Sequence, residues 1–259
     1  MKNLKFILVL IFGFLSSSCN LDEDPIFLDT TLYDNPDSAT AALDGIYQKL
    51  TTYDSMERRY WVINGFSGLF ITHSQGNSVN NPHNSSLMAL NPIQDQVSEA
   101  FWRGLYGAIA QTNAAIENIT VVENPITNDE LLFSDIKGQA YFARAWAYFD
   151  LTRLFKDIPL WTELPDENNL NKAKSTTKEV YAQVISDAKM AASLINGKSG
   201  TGYPKQYAAN MLLAKLYMTL ATNPDLREGS LTEMDYWQMA YDEAIKVYGQ
   251  YSLVADYSS

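Results

Sequence analysis

Apolar residues recur three and four positions apart through most of this chain, a spacing that puts them on one face of a helix. The stretch from Trp102 through Tyr106 to Ile116 is a clear example. The pattern predicts six helices: Asn35–Leu50, Asp95–Val121, Thr127–Phe155, Thr176–Ile195, Pro204–Thr222 and Asp235–Gly249. No stretch shows the strong alternation with turn punctuation that is typical of strands, so an all-α fold is predicted.

Three of these helices begin with recognisable capping residues. Asn35 precedes Pro36, and proline suits the first helical position because an N–H there would have no partner. Thr127 and Thr176 are each followed three residues later by a glutamate, which is the pattern of a capping box. These residues predict where the first, third and fourth helices start.

A pattern of large and small side chains occurs twice. Its separation of 69 residues is close to twice the tetratricopeptide period of about 34 residues. The four positions Phe142, Ala145, Tyr148 and Leu151 recur as Met211, Ala214, Tyr217 and Leu220. Stacked helix pairs of this kind bury one continuous core, so we expect these residues to be architectural.

The interval from Asn64 to Pro92 differs from the rest of the chain. It is rich in Asn and Ser and contains Gly65, Gly68, Gly76, Pro82 and Pro92. A connection of this length within a compact domain is usually functional or disordered. The sequence therefore predicts a long irregular loop between the first two helices, where binding groups are commonly carried.

The N-terminus predicts export and lipidation. Two lysines and an apolar run too short to span a bilayer precede Ser16–Ser18 and the single cysteine, Cys19. A lone cysteine at such a cleavage site is best explained as a lipid attachment point, with secretion without lipidation as the alternative. We therefore predict a signal peptide over 1–18, a lipidated acidic tether over 19–34 and a helical domain over 35–259.

The charge balance narrows the possible partners. The chain has 30 acidic and 19 basic residues, a net charge of −11, and removal of the leader with Lys2 and Lys5 would leave a net of −13. Phosphate backbones are bound by clusters of Lys and Arg, and no basic stripe occurs. Nucleic acid is therefore excluded as a partner.

Two stretches resemble chemical sites only superficially. Gly197-Lys198-Ser199 suggests a phosphate loop, but the first required glycine would fall at Ala192 and the segment follows a helix, so we predict an interhelix turn. His73 and His83 are the only histidines and have no cysteine near them, so no metal site is predicted. No cofactor is expected.

The order of motifs resembles the N-terminal part of SusD/RagB proteins. The helix around Phe101-Trp102-Arg103, with Tyr106 and Asn113, is similar to one family motif. Lys137–Tyr148 followed by Phe155-Lys156-Asp157-Ile158-Pro159-Leu160 resembles the most characteristic stretch, with Lys156 in place of the usual glycine. The resemblance continues in order through Thr177–Tyr181, Asp187-Ala188, Ala208–Tyr217, Trp237, Ala240–Ala244 and Gly249–Leu253.

This resemblance implies a tetratricopeptide-like, SusD-like helical fold and a cell-surface receptor. Such a receptor captures glycan, or peptide in some relatives, and works with a TonB-dependent SusC-like outer-membrane barrel. The acidic segment after Cys19 resembles a signal for display on the outer face of the outer membrane. Family binding residues cluster near the irregular loop, which makes five residues our candidates for ligand contact: Trp61, His73, Gln75, Asn77 and Asn80.

Further consequences and alternatives follow from the same residues. The resemblance implies that a second half should follow Tyr251-Ser252-Leu253, so the chain is expected to be truncated at its C-terminus. A tetratricopeptide scaffold that binds only protein is one alternative function. An α-helical glycosidase using paired acids is the other. We expect no catalysis: a receptor would retain polysaccharide without releasing reducing ends.

Overall fold

The computed structural model describes residues 30–52, 55–56, 96–165 and 171–252. Most of these residues are helical, which confirms the predicted all-α class. The helices are α1 (Pro36–Thr51), α2 (Gln96–Asn118), α3 (Asn128–Phe155), α4 (Thr177–Leu194), α5 (Gln206–Thr222) and α6 (Glu233–Ile245), with short 3-10 turns at Thr30–Tyr33 and Pro224–Leu226. In this part of the chain, no helix is both long and apolar enough to cross a bilayer.

The predicted caps are present. The Asn35 side chain accepts a hydrogen bond from the Ser38 backbone N–H at 3.0 Å. Thr127 and Thr176 each form the complete reciprocal capping box with the glutamate three residues later. A cap of this kind stabilises a helix by about 1 kcal/mol, so these residues define the starts of three helices.

The last two helices differ from prediction at their ends. α5 begins at Gln206 instead of Pro204, after Lys205 in extended conformation. α6 begins at Glu233 because Thr232 and Asp235 form a capping box that the sequence pattern had not indicated. It ends at Ile245, and turns follow up to Gly249, whose φ of 78° lies in the left-handed region.

The helices stack in chain order, each against the next, and α1 also packs on α3. The core between them contains the predicted repeat residues Ala145, Tyr148 and Leu151, together with the equivalent Ala214, Tyr217 and Leu220. The first pair of the repeat, Phe142 and Met211, is not equivalent in burial. Phe142 is 4% exposed, whereas Met211 is 48% exposed because it faces an open groove instead of the core.

The backbones of α3 and the end of α4 approach closely at Gly138. A Cβ added to Gly138 would lie 2.8 Å from the Ile195 backbone nitrogen and 2.9 Å from the Leu194 Cβ. Both neighbours are close to the backbone and cannot rotate away. Glycine is therefore needed here so that the two helices can pack at this distance.

Two short connections contain ordered features. Ile158–Pro159 (β1) pairs antiparallel with Lys174–Ser175 (β2), a two-residue ladder not indicated by the sequence pattern. The Gly197–Gly202 segment is the predicted interhelix turn, with positive φ at three glycines. The buried Asp135 carboxylate accepts backbone N–H bonds from Asn196, Gly197 and Ser199 in that turn, at 2.6 to 2.8 Å.

Candidate functional site

The predicted ligand residues fall in the connection between α1 and α2. α1 ends at Thr51 and α2 begins at Gln96, and both helices pack on α3. The five candidates Trp61, His73, Gln75, Asn77 and Asn80 lie outside the described residues, as does Cys19. Their role in ligand contact stays a prediction. The structure does describe the helical frame to which both ends of their segment connect.

An aromatic cluster lies near the point where that connection enters α2. The Trp102 ring centroid is 4.8 Å from that of Tyr106 and 4.9 Å from that of Phe155, the latter pair edge to face. Edge-to-face aromatic pairs contribute about 0.5–1.5 kcal/mol beyond the area they bury. The start of α2 is therefore fixed against the end of α3.

A buried ionic network joins α2, α3 and α4 beneath this cluster. The Arg144 guanidinium donates from Nε and Nη2 to the two carboxylate oxygens of Asp187, both at 2.7 Å. Its Nη1 donates to Asn113 Oδ1 at 2.8 Å and to the Thr162 carbonyl at 3.1 Å. Gln183 adds a further donor to Asp187 at 2.8 Å.

The network fixes the strap, which we define as residues 158–163 after α3. Asn113 donates from Nδ2 to the carbonyls of Trp161 and Glu163, both at 3.0 Å. Tyr106 donates from its hydroxyl to the Pro159 carbonyl at 2.6 Å, and Tyr148 to the Trp161 carbonyl at 2.8 Å. The motif residues therefore serve to fold a backbone segment over α2.

The tyrosine and arginine donors of this network keep their protons over a wide pH range. Burial raises the pKa of the Tyr148 and Tyr106 hydroxyls well above the ordinary value, so both stay protonated donors. Burial opposes the charge of Arg144, but the hydrogen bond and charge of Asp187 outweigh it and raise the guanidinium pKa. A fully paired network of this kind is suited to structure and leaves no group for acid–base catalysis.

A second region is open instead of filled. An apolar groove of about 680 Å³ lies between α3, α5 and α6. The large side chains that line this apolar groove are Trp146, Met211, Met218, Trp237 and Tyr241. The first three are 43 to 48% exposed and Tyr241 is 59% exposed. Exposed apolar side chains grouped in this way are typical of an interface.

Asp150 lines this groove and is only 4% exposed. Its Oδ1 accepts from Arg153 at a long 3.4 Å, while Oδ2 has no well-aligned hydrogen bond to any described residue. Burial raises the pKa of Asp150 to about 6, and Arg153, the nearby Trp146 side chain and Lys215 oppose this shift only in part. No local sequence pattern marks Asp150 as a buried acid, although it lies one turn after Trp146.

A smaller cleft of about 500 Å³ lies between α4, α5 and α6 and is polar. Its buried Asn210 donates to Glu243 at 2.8 Å, and Lys246 pairs with the same glutamate at 2.8 Å. These groups satisfy one another. Over the described ranges, no cluster of three His, Cys, Asp or Glu side chains could hold a metal ion, and both histidines lie outside those ranges.

Comparison with known proteins identifies the family. The profile described as "SusD-like_3: Starch-binding associating with outer membrane" matches residues 64–218, more than half of the 259. SusD-like protein P2 of Formosa agariphila is 28% identical over 230 residues, which cover 85% of this chain and 43% of the relative. The chain thus spans less than half the length of the curated relatives it matches.

Solved structures share the fold. A SusD superfamily protein of Bacteroides thetaiotaomicron is 26% identical, with a TM-score of 0.64, over 85% of this chain and 48% of that one. A laminarin-binding SusD-like protein is 20% identical, with a TM-score of 0.58, over 74% of this chain and 41% of that one. The helical frame is therefore that of SusD proteins, and with the profile match this chain belongs to the SusD-like family.

Proposed function

We propose that this protein is a glycan-binding lipoprotein on the outer face of the outer membrane. It captures oligosaccharides, or peptides, for import through a TonB-dependent SusC-like transporter. The observation that carries this proposal is the family match over residues 64–218, because it includes the irregular interval Asn64–Pro92, α2 to α4 and most of α5. A relative of the same fold is named as laminarin-binding, which supports glycan as the ligand class.

Binding of this kind needs no cofactor and no covalent step. Sugar rings present apolar C–H faces and hydroxyl rims, so an aromatic side chain such as Trp61 can stack on a ring. Amides such as Gln75, Asn77 and Asn80 can donate to and accept from the hydroxyls. Each hydrogen bond contributes about 0.5–1.5 kcal/mol net, so a shallow site gives modest affinity.

The described frame suits this role because α2, which follows the predicted loop, is packed and hydrogen-bonded against α3. The Trp102 cluster and the Arg144 network join α2 and α3 through aromatic contacts and buried hydrogen bonds. A rigid frame lowers the entropy lost when loop residues bind a ligand. A lipid on Cys19 would add a high local concentration of the site beside a membrane transporter.

The ligand proposal is tested by retardation of the protein in gels that contain single polysaccharides. We expect at least one polysaccharide to retard the wild type, and Trp61→Ala and Asn77→Ala to reduce retardation about tenfold by removing a stacking or hydrogen-bonding contact. Tyr248→Ala is the matched control, since Tyr248 is 82% exposed and lies outside the loop. Unchanged retardation in the loop variants would refute the site, and release of reducing ends would refute a binding-only role.

The anchor and partner are tested in cells. We expect wild-type protein to incorporate labelled palmitate and to fractionate with outer membranes, and Cys19→Ala to lose both properties. Purification of the wild type from solubilised outer membranes should co-purify one β-barrel transporter. Recovery of the unmodified protein in the cytoplasm would contradict the localisation, and recovery without any barrel would contradict the transport partner.

A further inference from the structure

We propose that Asn196 is a site of spontaneous deamidation that the buried carboxylate of Asp135 holds unreactive in the folded protein. The reaction needs the next residue, Gly197, in the turn between α4 and α5. The inference rests on the contacts of this turn, and it depends neither on family membership nor on the proposed glycan binding.

An asparagine that is followed by glycine is chemically labile. The Gly197 backbone nitrogen can attack Asn196 Cγ because glycine has no side chain to block the approach. A bond forms between that nitrogen and Cγ, the bond from Cγ to Nδ2 breaks, and Nδ2 leaves as ammonia with the proton of the Gly197 N–H. Asn196 is exposed, so water can reach the cyclic imide and open it at either carbonyl. The product at position 196 is aspartate or isoaspartate.

Asp135 restrains the attacking nitrogen. Its Oδ1 accepts hydrogen bonds from the Gly197 N–H at 2.8 Å and from the Asn196 N–H at 2.6 Å, and Asp135 is fully buried. The Gly197 nitrogen has to lose its proton to form the new bond. A carboxylate at hydrogen-bond distance holds that proton and repels the negative charge that its loss would create. The nitrogen is therefore unreactive while this contact lasts.

The carboxamide that would be attacked is also held at both ends. Asn196 Nδ2 donates to the Leu131 carbonyl of α3 at 2.8 Å and, more weakly, to the Leu194 carbonyl of α4 at 3.4 Å. Asn196 Oδ1 accepts from the Lys198 N–H at 3.1 Å. Ring closure turns this group and expels Nδ2, so these contacts have to break before the reacting atoms can meet correctly.

Asp135 is the main anchor of the turn. Its Oδ2 accepts from the Ser199 N–H at 2.7 Å, so both carboxylate oxygens bind backbone N–H groups of this segment. Consecutive N–H groups that point at one anion form a nest that favours negative charge. Lys205 Nζ separately donates to the Gly200 carbonyl at 2.6 Å. Loss of the Asp135 carboxylate would therefore free the Gly197 nitrogen while Lys205 still holds the far side of the turn.

Deamidation would weaken the contact between α3 and α4. A carboxylate at position 196 cannot donate to the Leu131 and Leu194 carbonyls. It would also lie just after the C-terminus of α4, where the helix dipole disfavours negative charge. The close approach of Gly138 to Ile195 is adjacent to it in the chain. One opening of the turn would thus be converted into a permanent change, and Asn196→Asp, which carries the same charge, should unfold at a lower temperature than wild type.

Mass spectrometry tests the proposal on the whole chain, which contains its own reference. The tripeptide Ile195-Asn196-Gly197 has the same sequence as Ile63-Asn64-Gly65. In guanidinium chloride the two sites should deamidate at similar rates, which gives the intrinsic rate. In the folded wild type, Asn196 should react at least about tenfold more slowly than it does in denaturant. The tryptic peptide 190–198 reports this rate during incubation in mildly alkaline buffer.

Two variants separate the role of Asp135 from general stability. Folded Asp135→Ala should deamidate at Asn196 at least about fivefold faster than wild type, since the Gly197 N–H has lost its acceptor. Asp187→Ala is the matched control, because it also removes a buried, hydrogen-bonded carboxylate but not one that binds the turn. Its rate should stay within about twofold of wild type. Circular dichroism checks that each variant is folded, and Asp135→Asn replaces Asp135→Ala if the latter is not.

Three results would overturn the proposal. The first is a rate at Asn196 that is equal in the folded and denatured wild type, and the second is an unchanged rate in the folded Asp135 variant. The third is equal acceleration by Asp187→Ala, because the reaction would then proceed through global unfolding. An unchanged unfolding temperature for Asn196→Asp would refute the weakened contact between α3 and α4. Polysaccharide retardation is a separate measurement, so the proposed glycan function stands or falls independently.

Discussion

Two buried carboxylates on the same frame have opposite environments. Asp187 is 1% exposed and meets Arg144 through two hydrogen bonds of 2.7 Å. Asp150 is 4% exposed, yet its ion-pair partner Arg153 lies 3.4 Å away. Burial alone therefore does not tell what an acid does in this protein.

The difference lies in what surrounds each group. Asp187 lies in a closed interface where Arg144 and Gln183 direct donors at it, so its charge is compensated within the fold. Asp150 borders the open apolar groove, where burial raises its pKa to about 6. A satisfied buried acid stabilises an arrangement of helices, whereas an unsatisfied one beside exposed apolar side chains indicates a surface that awaits a partner.

The strongest test of the closed region is Asp187→Ala. This change leaves the Arg144 guanidinium buried without its counter-charge, and the free energy of unfolding should fall by about 3–5 kcal/mol. Urea denaturation followed by circular dichroism measures it. Asp242→Ala is the control, because Asp242 is exposed on α6 and should change stability by less than about 0.5 kcal/mol.

A double variant separates the loss of the Arg144–Asp187 ion pair from the cost of leaving Arg144 buried without a counter-charge. Replacing both partners, as Arg144→Met with Asp187→Leu, removes the buried charge altogether. The double variant should recover much of the stability that Asp187→Ala loses. If the double variant were less stable than Asp187→Ala, the network would contribute through its hydrogen bonds to Asn113 and the strap more than through charge compensation.

Removing the charge of the acid at the apolar groove should raise the free energy of unfolding, whereas removing that of Asp187 lowers it. Asp150→Asn keeps the shape of the side chain and removes an ionised group that is poorly paired in the folded state. We expect it to raise the free energy of unfolding at about pH 7.5 by about 2 kcal/mol, after allowance for the partly exposed Arg153 pair. Denaturation at several pH values measures the effect.

The pH dependence follows from the direction of the shift. The pKa of Asp150 is about 6 in the folded protein against 3.8 ordinarily, so the folded state binds this proton more tightly. Its contribution to stability is fully present below about pH 4 and is lost as the pH rises through 6. The gain from Asp150→Asn should therefore shrink towards zero near pH 4. An advantage that is equal at both pH values would show that Asp150 is not destabilised by its charge.

Sequence patterns predicted the frame because its signals are local. The capping boxes at Thr127 and Thr176 and the three-four apolar spacing are read within a few residues. The start of α6 was misplaced because the Thr232 cap uses Asp235 where the familiar pattern has Glu or Gln. The β1–β2 ladder could not be predicted from two residues on each side.

The candidate sites were harder to predict because they depend on long-range partners. The resemblance brought Asn113 and Asp187 to attention, but only the fold shows that Arg144 joins them across three helices. The repeat made Met211 the equivalent of Phe142 and so predicted an architectural role for it. The fold instead exposes Met211 beside Trp146 and Trp237, since its neighbours come from α3 and α6 and not from its own helix. The ligand-binding role of the loop residues stays a prediction.

Two helix glycines also differ in their surroundings: Gly138 packs against the end of α4, whereas Gly45 faces open space. Gly138→Ala should lower stability by about 1–3 kcal/mol, because the new Cβ would overlap the end of α4. Gly45→Ala in α1 is the matched control: nothing lies within 4 Å of its Cβ position, so it should raise stability by about 0.5–1 kcal/mol. Thermal unfolding compares the two variants. Equal effects would mean that the α3–α4 contact yields without strain.

The smallest effect is expected for Met211→Gln in the apolar groove. Because Met211 is 48% exposed, exchanging its thioether for an amide of similar size should change the free energy of unfolding by less than about 0.5 kcal/mol. Leu216→Gln on the same helix is the contrast, because Leu216 is fully buried. An amide there should lower the free energy of unfolding several times more than Met211→Gln does. A loss above about 1 kcal/mol for Met211→Gln would mean that the groove is already filled in the isolated chain. The contrast between a closed network around Asp187 and an open surface around Asp150 would then no longer hold.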